Sequence, residues 1–205
     1  MTRPRVVVLD YGSGNLRSAE RALVRVGADV AVTADLDAAL AADGLVLPGV
    51  GAFAACVEGI DAVRGRELVE QRVAADRPTL GICVGMQVLF DAGDEHGVHT
   101  PGLGLLPGVV RRLDAPVLPH MGWNTVAADA GSLLLAGMAA DTRFYFVHSY
   151  GVRDPIEAAA VSTTTHGAST FAAVVERGEL RATQFHPEKS GDAGATLLEN
   201  WLGGL

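Results

Sequence analysis

The sequence predicts an α/β fold in which a mostly parallel central sheet is flanked by helices and extended by appended antiparallel strands. Two observations lead to this prediction. In the first half of the chain, short runs rich in β-branched residues alternate with segments of helical periodicity, and consecutive strand-like runs follow after about residue 105. Strands that alternate with helices form right-handed βαβ units, and these build a parallel sheet that is covered on both faces.

Four strand-then-helix units make up the first half. Each begins with a short apolar run such as RVVVLD, and the segment that follows spaces its apolar residues at intervals of three and four. The predicted strands are 5–10, 29–33, 44–49 and 78–83, and the predicted helices are 16–27, 36–42, a stretch that ends at 76, and 84–93.

In the second half of the sequence, the consecutive strand-like runs predict antiparallel hairpins that are appended to the parallel sheet. Turn signals such as ERGE separate the runs, and the last segment has helical periodicity with an aspartate near its start, so we expect it to dock on the sheet. No Pro-, Gly- or Ser-rich linker divides the chain, which predicts a single domain over 1–205. The predicted strands are 108–113, 143–152, 158–165, 169–178 and 180–187, and the predicted helix is 192–205.

Composition narrows the class of protein. The 205 residues are 49% hydrophobic and 20% charged, which is typical of a compact globular chain. The net charge of −8 and the scattered basic residues argue against a nucleic-acid partner. Two cysteines are too few for a disulfide framework or a four-cysteine zinc site, and their scarcity suits a reducing compartment. With no membrane span or signal-peptide pattern, we expect a cytoplasmic protein without membrane contact.

One of the two cysteines has the setting of a reactive residue. Cys83 lies between Gly81 and Gly85, where a predicted strand runs directly into a predicted helix. A nucleophile on such a tight turn needs small neighbours two positions away, and Val84 would aim its N–H at an oxyanion from the first turn of the helix. The alternative is a packed thiol, because free cysteine is among the most buried residue types. We expect that packed role for the other cysteine, Cys56.

A thiol nucleophile needs a base and a group that orients the base. The segment QFHPEKS supplies both, because His186 and Glu188 follow a predicted strand two positions apart. An isolated His186 would more often be an ordinary surface histidine. We interpret His96 and His99 as a solvated loop and not as metal ligands, since two imidazoles without further ligands make a weak site. His166 lies in a similar turn, so no metal is predicted.

A second glycine-rich turn follows the strand before Cys83. In LPGVGAF, Gly49 and Gly51 allow the backbone to turn an N–H toward a ligand, at the place where a second oxyanion donor would be needed. A plain strand-to-helix turn is an equally good interpretation of this motif by itself.

These motifs carry a resemblance to a known family. GICVGMQ together with QFHPEKS resembles the class I glutamine amidotransferases, whose Cys, His and Glu hydrolyse glutamine through a glutamyl thioester. YGSGNLRS, LPGVGAF, PHMGWN and YFVHSYG together resemble, within that family, the glutaminase subunits of imidazole glycerol phosphate synthase, over essentially the whole chain. The resemblance implies a flavodoxin-like fold and no cofactor. It also implies a role in L-histidine biosynthesis.

The resemblance also implies roles for individual residues. Cys83 would be the nucleophile, His186 the general acid and base, and Glu188 the residue that orients the imidazole. The implied oxyanion hole consists of backbone N–H groups around Val50, Gly51 and Val84. The residues implied to bind L-glutamine are Gln87, Ser149 and Tyr150.

The implied partner is a cyclase subunit with a (β/α)8 barrel that receives the ammonia. Asn15, Trp123 and Lys189 are implied to lie near the ammonia passage, although Trp123 could fill core and Lys189 could be solvated. We expect the oxyanion donors to be misdirected until the partner is bound, because uncoupled hydrolysis would waste ammonia. The alternatives are a subunit of another amidotransferase, a non-catalytic regulatory module and a stand-alone thiol hydrolase.

Overall fold

Seven strands form the central sheet of the computed structural model, which describes residues 3–205. Five neighbouring strands are parallel, and two antiparallel strands extend one edge. Four of the five are the predicted parallel strands. The fifth lies in the run over 180–187, for which antiparallel pairing alone was predicted, because it also pairs in parallel with the strand that ends at Cys83. The third and fourth strands are buried along their whole length, because helices cover both faces of the sheet. In sheet order the strands are β11 (Ala160–His166), β12 (Ser169–Arg177), β13 (Leu180–Thr183), β4 (Thr79–Cys83), β3 (Gly44–Gly49), β1 (Arg5–Leu9) and β2 (Asp29–Thr33).

The helices pack their apolar stripes on this sheet. Ala19 and Leu23, four positions apart, form the buried stripe of the first helix, and the Asp35 side chain caps the second helix by accepting from the Ala38 N–H. The stretch predicted to end at residue 76 is two helices, because Arg64 interrupts it with a φ of 57°. The helices are α1 (Leu16–Arg25), α2 (Leu36–Ala41), α3 (Phe53–Ala62), α4 (Gly65–Ala74), α5 (Val84–Gln87) and α6 (Gly191–Leu202).

Two smaller sheets flank the central one. A four-stranded sheet has the order β10-β7-β5-β6, and a hairpin pairs β8 with β9. The predicted helix over 84–93 is wrong after its first turn, because the chain enters β5 at Phe90 and pairs there with two other strands. The strands are β5 (Phe90–Glu95), β6 (Val98–Pro101), β7 (Leu106–Arg112), β8 (His120–Thr125), β9 (Arg143–His148) and β10 (Tyr150–Gly151).

Two other predicted strands differ in their extent. The run over 143–152 divides at Ser149, because its halves pair with different strands, β9 with β8 and β10 with β7. The run over 180–187 ends as a strand at Thr183. The last helix docks on the sheet as expected and buries Leu197, Leu198 and Trp201. Within residues 3–205, no helix is long and apolar enough to cross a membrane.

The arrangement of the sheet determines where the functional residues meet. Strands β13, β4 and β3 are parallel neighbours, and Gly49 is the register partner of Cys83. The segments that follow these three strands therefore emerge side by side at the carboxyl edge of the sheet, where ligands bind in open α/β folds.

Candidate active site

Cys83 lies on a sharp turn between β4 and α5. Its φ of 57° and ψ of −112° are unusual for a residue with a side chain, and its neighbour Val84 is already the first helical residue. Gly85 permits this turn, because a Cβ atom at that position would lie 1.8 Å from the Leu47 carbonyl oxygen. Cys83 is thus held by tightly packed backbone, with its side chain at the edge of a cavity.

His186 and Glu188 form a buried pair beside the thiol. The His186 Nδ1 lies 2.7 Å from the Glu188 Oε1, and both side chains are 3% exposed. The backbone holds the histidine from both sides, because its N–H donates to the Tyr145 carbonyl and its own carbonyl accepts from the Ser190 hydroxyl. Pro187 begins the single turn of 3-10 helix that brings Glu188 back toward the imidazole.

The electrostatics favour a charged imidazole. Burial by itself lowers the pKa of His186, but hydrogen bonds and charge interactions with Cys83 and Glu188 outweigh this effect and raise the pKa to about 9. A proton that leaves the thiol is therefore stabilised on His186, next to the carboxylate of Glu188. This arrangement can generate a thiolate and later return the proton to a leaving group.

A cavity of about 660 Å³ opens above the thiol. It brings together nearly all of the predicted site residues, among them Cys83 and His186. The other predicted residues in its lining are Val50, Gly51, Val84, Gln87, Ser149, Tyr150 and Lys189.

The Gln87 side chain is fixed by the protein and not free to rotate. Its Nε2 donates to the Tyr150 carbonyl and to the Gln184 Oε1, both at 2.9 Å. Because an amide nitrogen has only two hydrogens, Gln87 can offer a ligand only its Oε1. Gln184 in turn directs its Nε2 at the Cys83 sulfur, at 3.8 Å.

The sequence predictions missed seven residues of the cavity; Leu118, Pro119, Val147 and His148 are four of them. Glu95, His96 and Arg112 line it, and the Glu95 carboxylate also accepts from the Phe53 N–H at 2.7 Å. Together with Lys189 they give the cavity one carboxylate and two cationic groups, which complement a zwitterionic ligand. Glu95 follows a segment for which the periodicity predicts helix, so no sequence pattern places it near Cys83.

The loop after β3 is held in an orientation that leaves the cavity without one expected donor. The Val50 N–H is directed at the Ser13 hydroxyl, at 3.4 Å. The Val50 carbonyl accepts from that hydroxyl at 2.8 Å and from the Cys56 thiol at 3.3 Å. The next residue, Gly51, has a φ of 85° and open space around the position of a Cβ atom. Cys56 itself is buried in the core, as expected.

The three residues predicted near a partner lie in different places. Lys189 is exposed at the cavity, and Asn15 is half-buried beside His186 and Glu188 on another side of the site. Trp123 is 53% exposed on β8, packs edge-on against Tyr145 and does not line the cavity.

The remaining histidines have other roles. His99 pairs with Asp94, and the His166 ring contacts the Val117 carbonyl. In the part of the chain that the structure describes, no three histidine, cysteine or carboxylate side chains cluster as a metal site would require.

Comparisons with known proteins find relatives of high sequence identity. A family model described as glutamine amidotransferase class-I matches residues 7–203. The imidazole glycerol phosphate synthase subunit HisH of Nocardia farcinica is 65% identical over the full length of both chains. The HisH subunit of Thermobifida fusca is 59% identical over 99% of this chain and all of its own.

Solved structures match the fold at low sequence identity. A crystal structure of a glutamine amidotransferase superposes with a TM-score of 0.76 at 19% identity, over 97% of this chain and 99% of its own. The structure of PurLQS from Thermotoga maritima gives a TM-score of 0.76 at 19% identity, over 98% and 99% of the two chains. At this identity the likeness concerns the fold alone, and it agrees with the predicted α/β class.

Proposed function

The chain belongs to the class-I glutamine amidotransferase family and, within it, to the glutaminase subunits of imidazole glycerol phosphate synthase; from this premise we propose that Cys83, His186 and Glu188 hydrolyse L-glutamine. The observation that carries the proposal is a buried imidazole that is paired with a carboxylate at 2.7 Å and lines the same cavity as a thiol on a strained strand-to-helix turn. That arrangement meets the geometric demands of a nucleophile, its base and the group that orients the base. Its role is the release of ammonia for L-histidine biosynthesis.

The reaction proceeds in two halves through a thioester. The Cys83 sulfur, deprotonated by His186, forms a bond to the carboxamide carbon of glutamine, and the carbon–nitrogen bond then breaks. His186 gives its proton to the departing nitrogen, which leaves as ammonia. Water, deprotonated by His186, next attacks the thioester, releases glutamate and restores the thiol. Glu188 holds the imidazole in orientation and stabilises its positive charge in both halves.

The cavity above Cys83 would bind the substrate by complementary charge. Glutamine is a zwitterion, and we assign its ammonium to the Glu95 carboxylate and the Gln87 Oε1. The Arg112 guanidinium is the counter-charge available to its α-carboxylate. Ser149 and Tyr150 would support the same end of the substrate, as expected from the sequence. These contacts leave the carboxamide directed toward the thiol.

We propose that the oxyanion hole is incomplete in this orientation of the loop. Val84 contributes its N–H at the start of α5, whereas the Val50 N–H is turned toward Ser13. A turn of the loop around Gly51 would release that N–H toward the cavity. We propose that binding of the partner shifts the loop into this second orientation, which couples hydrolysis to the use of the ammonia.

The partner in this proposal is a cyclase subunit with a (β/α)8 barrel, with which the chain forms a heterodimer. Asn15, Trp123 and Lys189 are the residues that we propose at or near the shared surface and the ammonia passage. We further propose that residues 1–205 form one amidotransferase domain that works in the cytoplasm. The match of the family model over 7–203 supports the single domain.

One experiment tests the glutaminase assignment with an internal control. In the complex with the cyclase, Cys83→Ala should lose glutamine-dependent product formation by about four orders of magnitude. Formation of the same product from added ammonium should continue, because the cyclase site is unchanged. Glutamine hydrolysis that survives in Cys83→Ala would end the assignment.

A further inference from the structure

A row of polar side chains runs from β8 to the segment that lines the cavity. The His148 Nδ1 lies 2.8 Å from the Tyr150 carbonyl oxygen, and the His148 Nε2 lies 3.1 Å from the His120 Nδ1. The His120 Nε2 lies 3.3 Å from the Asn124 Nδ2. Asn124 and His120 are on β8, and His148 ends β9, so the pairing of the hairpin builds this row.

The partners of each nitrogen determine where the hydrogens lie. A carbonyl can only accept, so the His148 Nδ1 must carry a hydrogen, and in a neutral ring the Nε2 is then an acceptor. The His120 Nδ1 must therefore donate to it, which makes the His120 Nε2 an acceptor in its turn. The Asn124 Nδ2 donates to that nitrogen. All three hydrogen bonds thus point in one direction, from Asn124 to the Tyr150 carbonyl.

Burial maintains the neutral rings that this order requires. Both imidazoles are almost fully buried, and Phe146 and Phe171 pack against them. Desolvation lowers the pKa of His148 to about 3 and that of His120 to about 4. At neutral pH neither ring carries a second proton that would reverse the row.

The Tyr150 carbonyl is where this row meets the site. The same oxygen accepts from the Gln87 Nε2 at 2.9 Å, and Gln87 continues to Gln184 and from there to the Cys83 sulfur. The carbonyl therefore has two donors, one from the hairpin and one from the helix that follows the nucleophile. Loss of either would free a segment that faces the cavity.

We propose that His148 is a positioning residue for glutamine binding: supported by His120 and Asn124, its Nδ1–H fixes the Tyr150 carbonyl and so holds both the Ser149–Tyr150 segment and Gln87 in register with Cys83. The proposal rests on the glutaminase function proposed above. His148 also lines the cavity, but the proposed chemical step uses Cys83, His186 and Glu188 and not this ring. Its effect should therefore fall on substrate binding more than on the chemical step.

Nitrogen NMR tests the hydrogen order without any assay of activity. In the ¹⁵N-histidine-labelled full-length chain at neutral pH, we expect His148 and His120 each to show a protonated Nδ1 and an unprotonated Nε2. A charged ring, or a hydrogen on either Nε2, would overturn the proposal. Assignment by single histidine substitution identifies the signals.

Two variants at one position separate positioning from packing. His148→Phe keeps a ring but has no donor, whereas His148→Asn places an amide N–H close to the position of the Nδ1. In the cyclase complex, His148→Phe should raise the KM for glutamine about tenfold with kcat within about threefold, as expected for a lost hydrogen bond that aids binding. His148→Asn should return the KM to within about threefold of the unmodified complex.

A neighbouring histidine provides the matched control. His166 stacks on His120 with ring centroids 4.3 Å apart but lies outside the directed row. His166→Phe keeps the stacking and should leave KM and kcat within about twofold. Equal KM values for His148→Phe and His148→Asn would overturn the inference. If the unmodified complex does not hydrolyse glutamine, the proposed function fails instead, and the NMR result still decides the hydrogen order.

Discussion

The turn after β4 and the loop after β3 follow neighbouring strands of the central sheet, but they differ in how tightly their backbone is packed. At the first, the backbone is so tightly packed that a Cβ atom on Gly85 would lie 1.8 Å from a carbonyl oxygen. At the second, Gly51 has open space around it, and Val50 is 39% exposed. In the function that we propose, the nucleophile, its base and the orienting carboxylate are thus preassembled, whereas one proposed oxyanion donor is held elsewhere.

This difference separates two parts of catalysis. A preassembled triad loses little free energy to reorganisation when substrate arrives, and this preserves the rate of the chemical step. A loop with two orientations gives a partner something to select, since a ligand shifts an equilibrium only if it binds the two states differently. We therefore expect changes at the turn to abolish activity or folding, and changes at the loop to alter regulation.

After Cys83→Ala, the largest effect is expected at the buried carboxylate. Glu188→Gln keeps the shape of the side chain but removes the charge that stabilises the imidazolium, so kcat in the cyclase complex should fall by about a thousandfold. Glu199→Gln, on the exposed face of α6, is the control and should leave kcat unchanged. A fall of less than tenfold in Glu188→Gln would mean that the pair does not serve the chemistry.

Substitutions at Gly85, in the turn after β4, and at Gly51, in the loop after β3, compare the stability of the two regions directly. Gly85→Ala should destabilise the chain by about 3 kcal/mol or more, because its Cβ has no space against the Leu47 carbonyl. In Gly51→Ala the new Cβ meets no atom within 4 Å, so the variant is destabilised only by the strain of the positive φ, by about 1 kcal/mol. Urea unfolding of both variants measures the difference. Similar losses in both would contradict a rigid turn beside an open loop.

The charged triad should also make stability depend on pH. The pKa of His186 is raised from 6.5 to about 9 in the folded chain. The stabilisation that the protonated imidazole gives the folded state is therefore fully present below pH 6.5, and it is lost as the pH rises through 9. The unmodified chain should lose about 2 kcal/mol relative to His186→Gln across this window. Thermal unfolding of both chains at the two ends of the window measures the change, and a constant difference would contradict the raised pKa.

The smallest effect is expected from the residue that holds the loop. Ser13→Ala removes the hydroxyl that bonds to both the N–H and the carbonyl of Val50. The isolated chain should then hydrolyse glutamine about fivefold faster, because the second orientation becomes about 1 kcal/mol easier to reach. Ser18→Ala, on α1, is the matched control. An unchanged or lower rate in Ser13→Ala would show that this contact does not hold the loop back.

The features that the sequence predicts well are those encoded locally. The four parallel strands of the first half are short apolar runs, and three of them, β1, β3 and β4, end in turns that contain glycine. Cys83 lies at one of these turns, and His186 follows another predicted strand. The start of β5 was missed because residues 84–90 are all buried, so periodicity cannot distinguish helix from strand there. Glu95 ends β5, so the prediction did not place it at the site for the same reason.

Other features depend on pairing between distant segments. His120 and His148 become partners only because β8 and β9 pair in the observed register. Gln184 meets Gln87 because β13 lies beside β4. All four residues lie in motifs that the sequence analysis quotes, but nothing in those motifs pairs these particular side chains, so the contacts required the structure.

The dependence of glutamine hydrolysis on the partner tests the central claim most directly. Turnover is measured for the chain alone, with the cyclase subunit, and with the cyclase and its nucleotide substrate. A preassembled triad beside a misdirected oxyanion donor predicts that the complete complex is about a hundredfold faster than the chain alone. Equal rates in the isolated chain and the complete complex would contradict the claim, and would identify the chain as a stand-alone hydrolase.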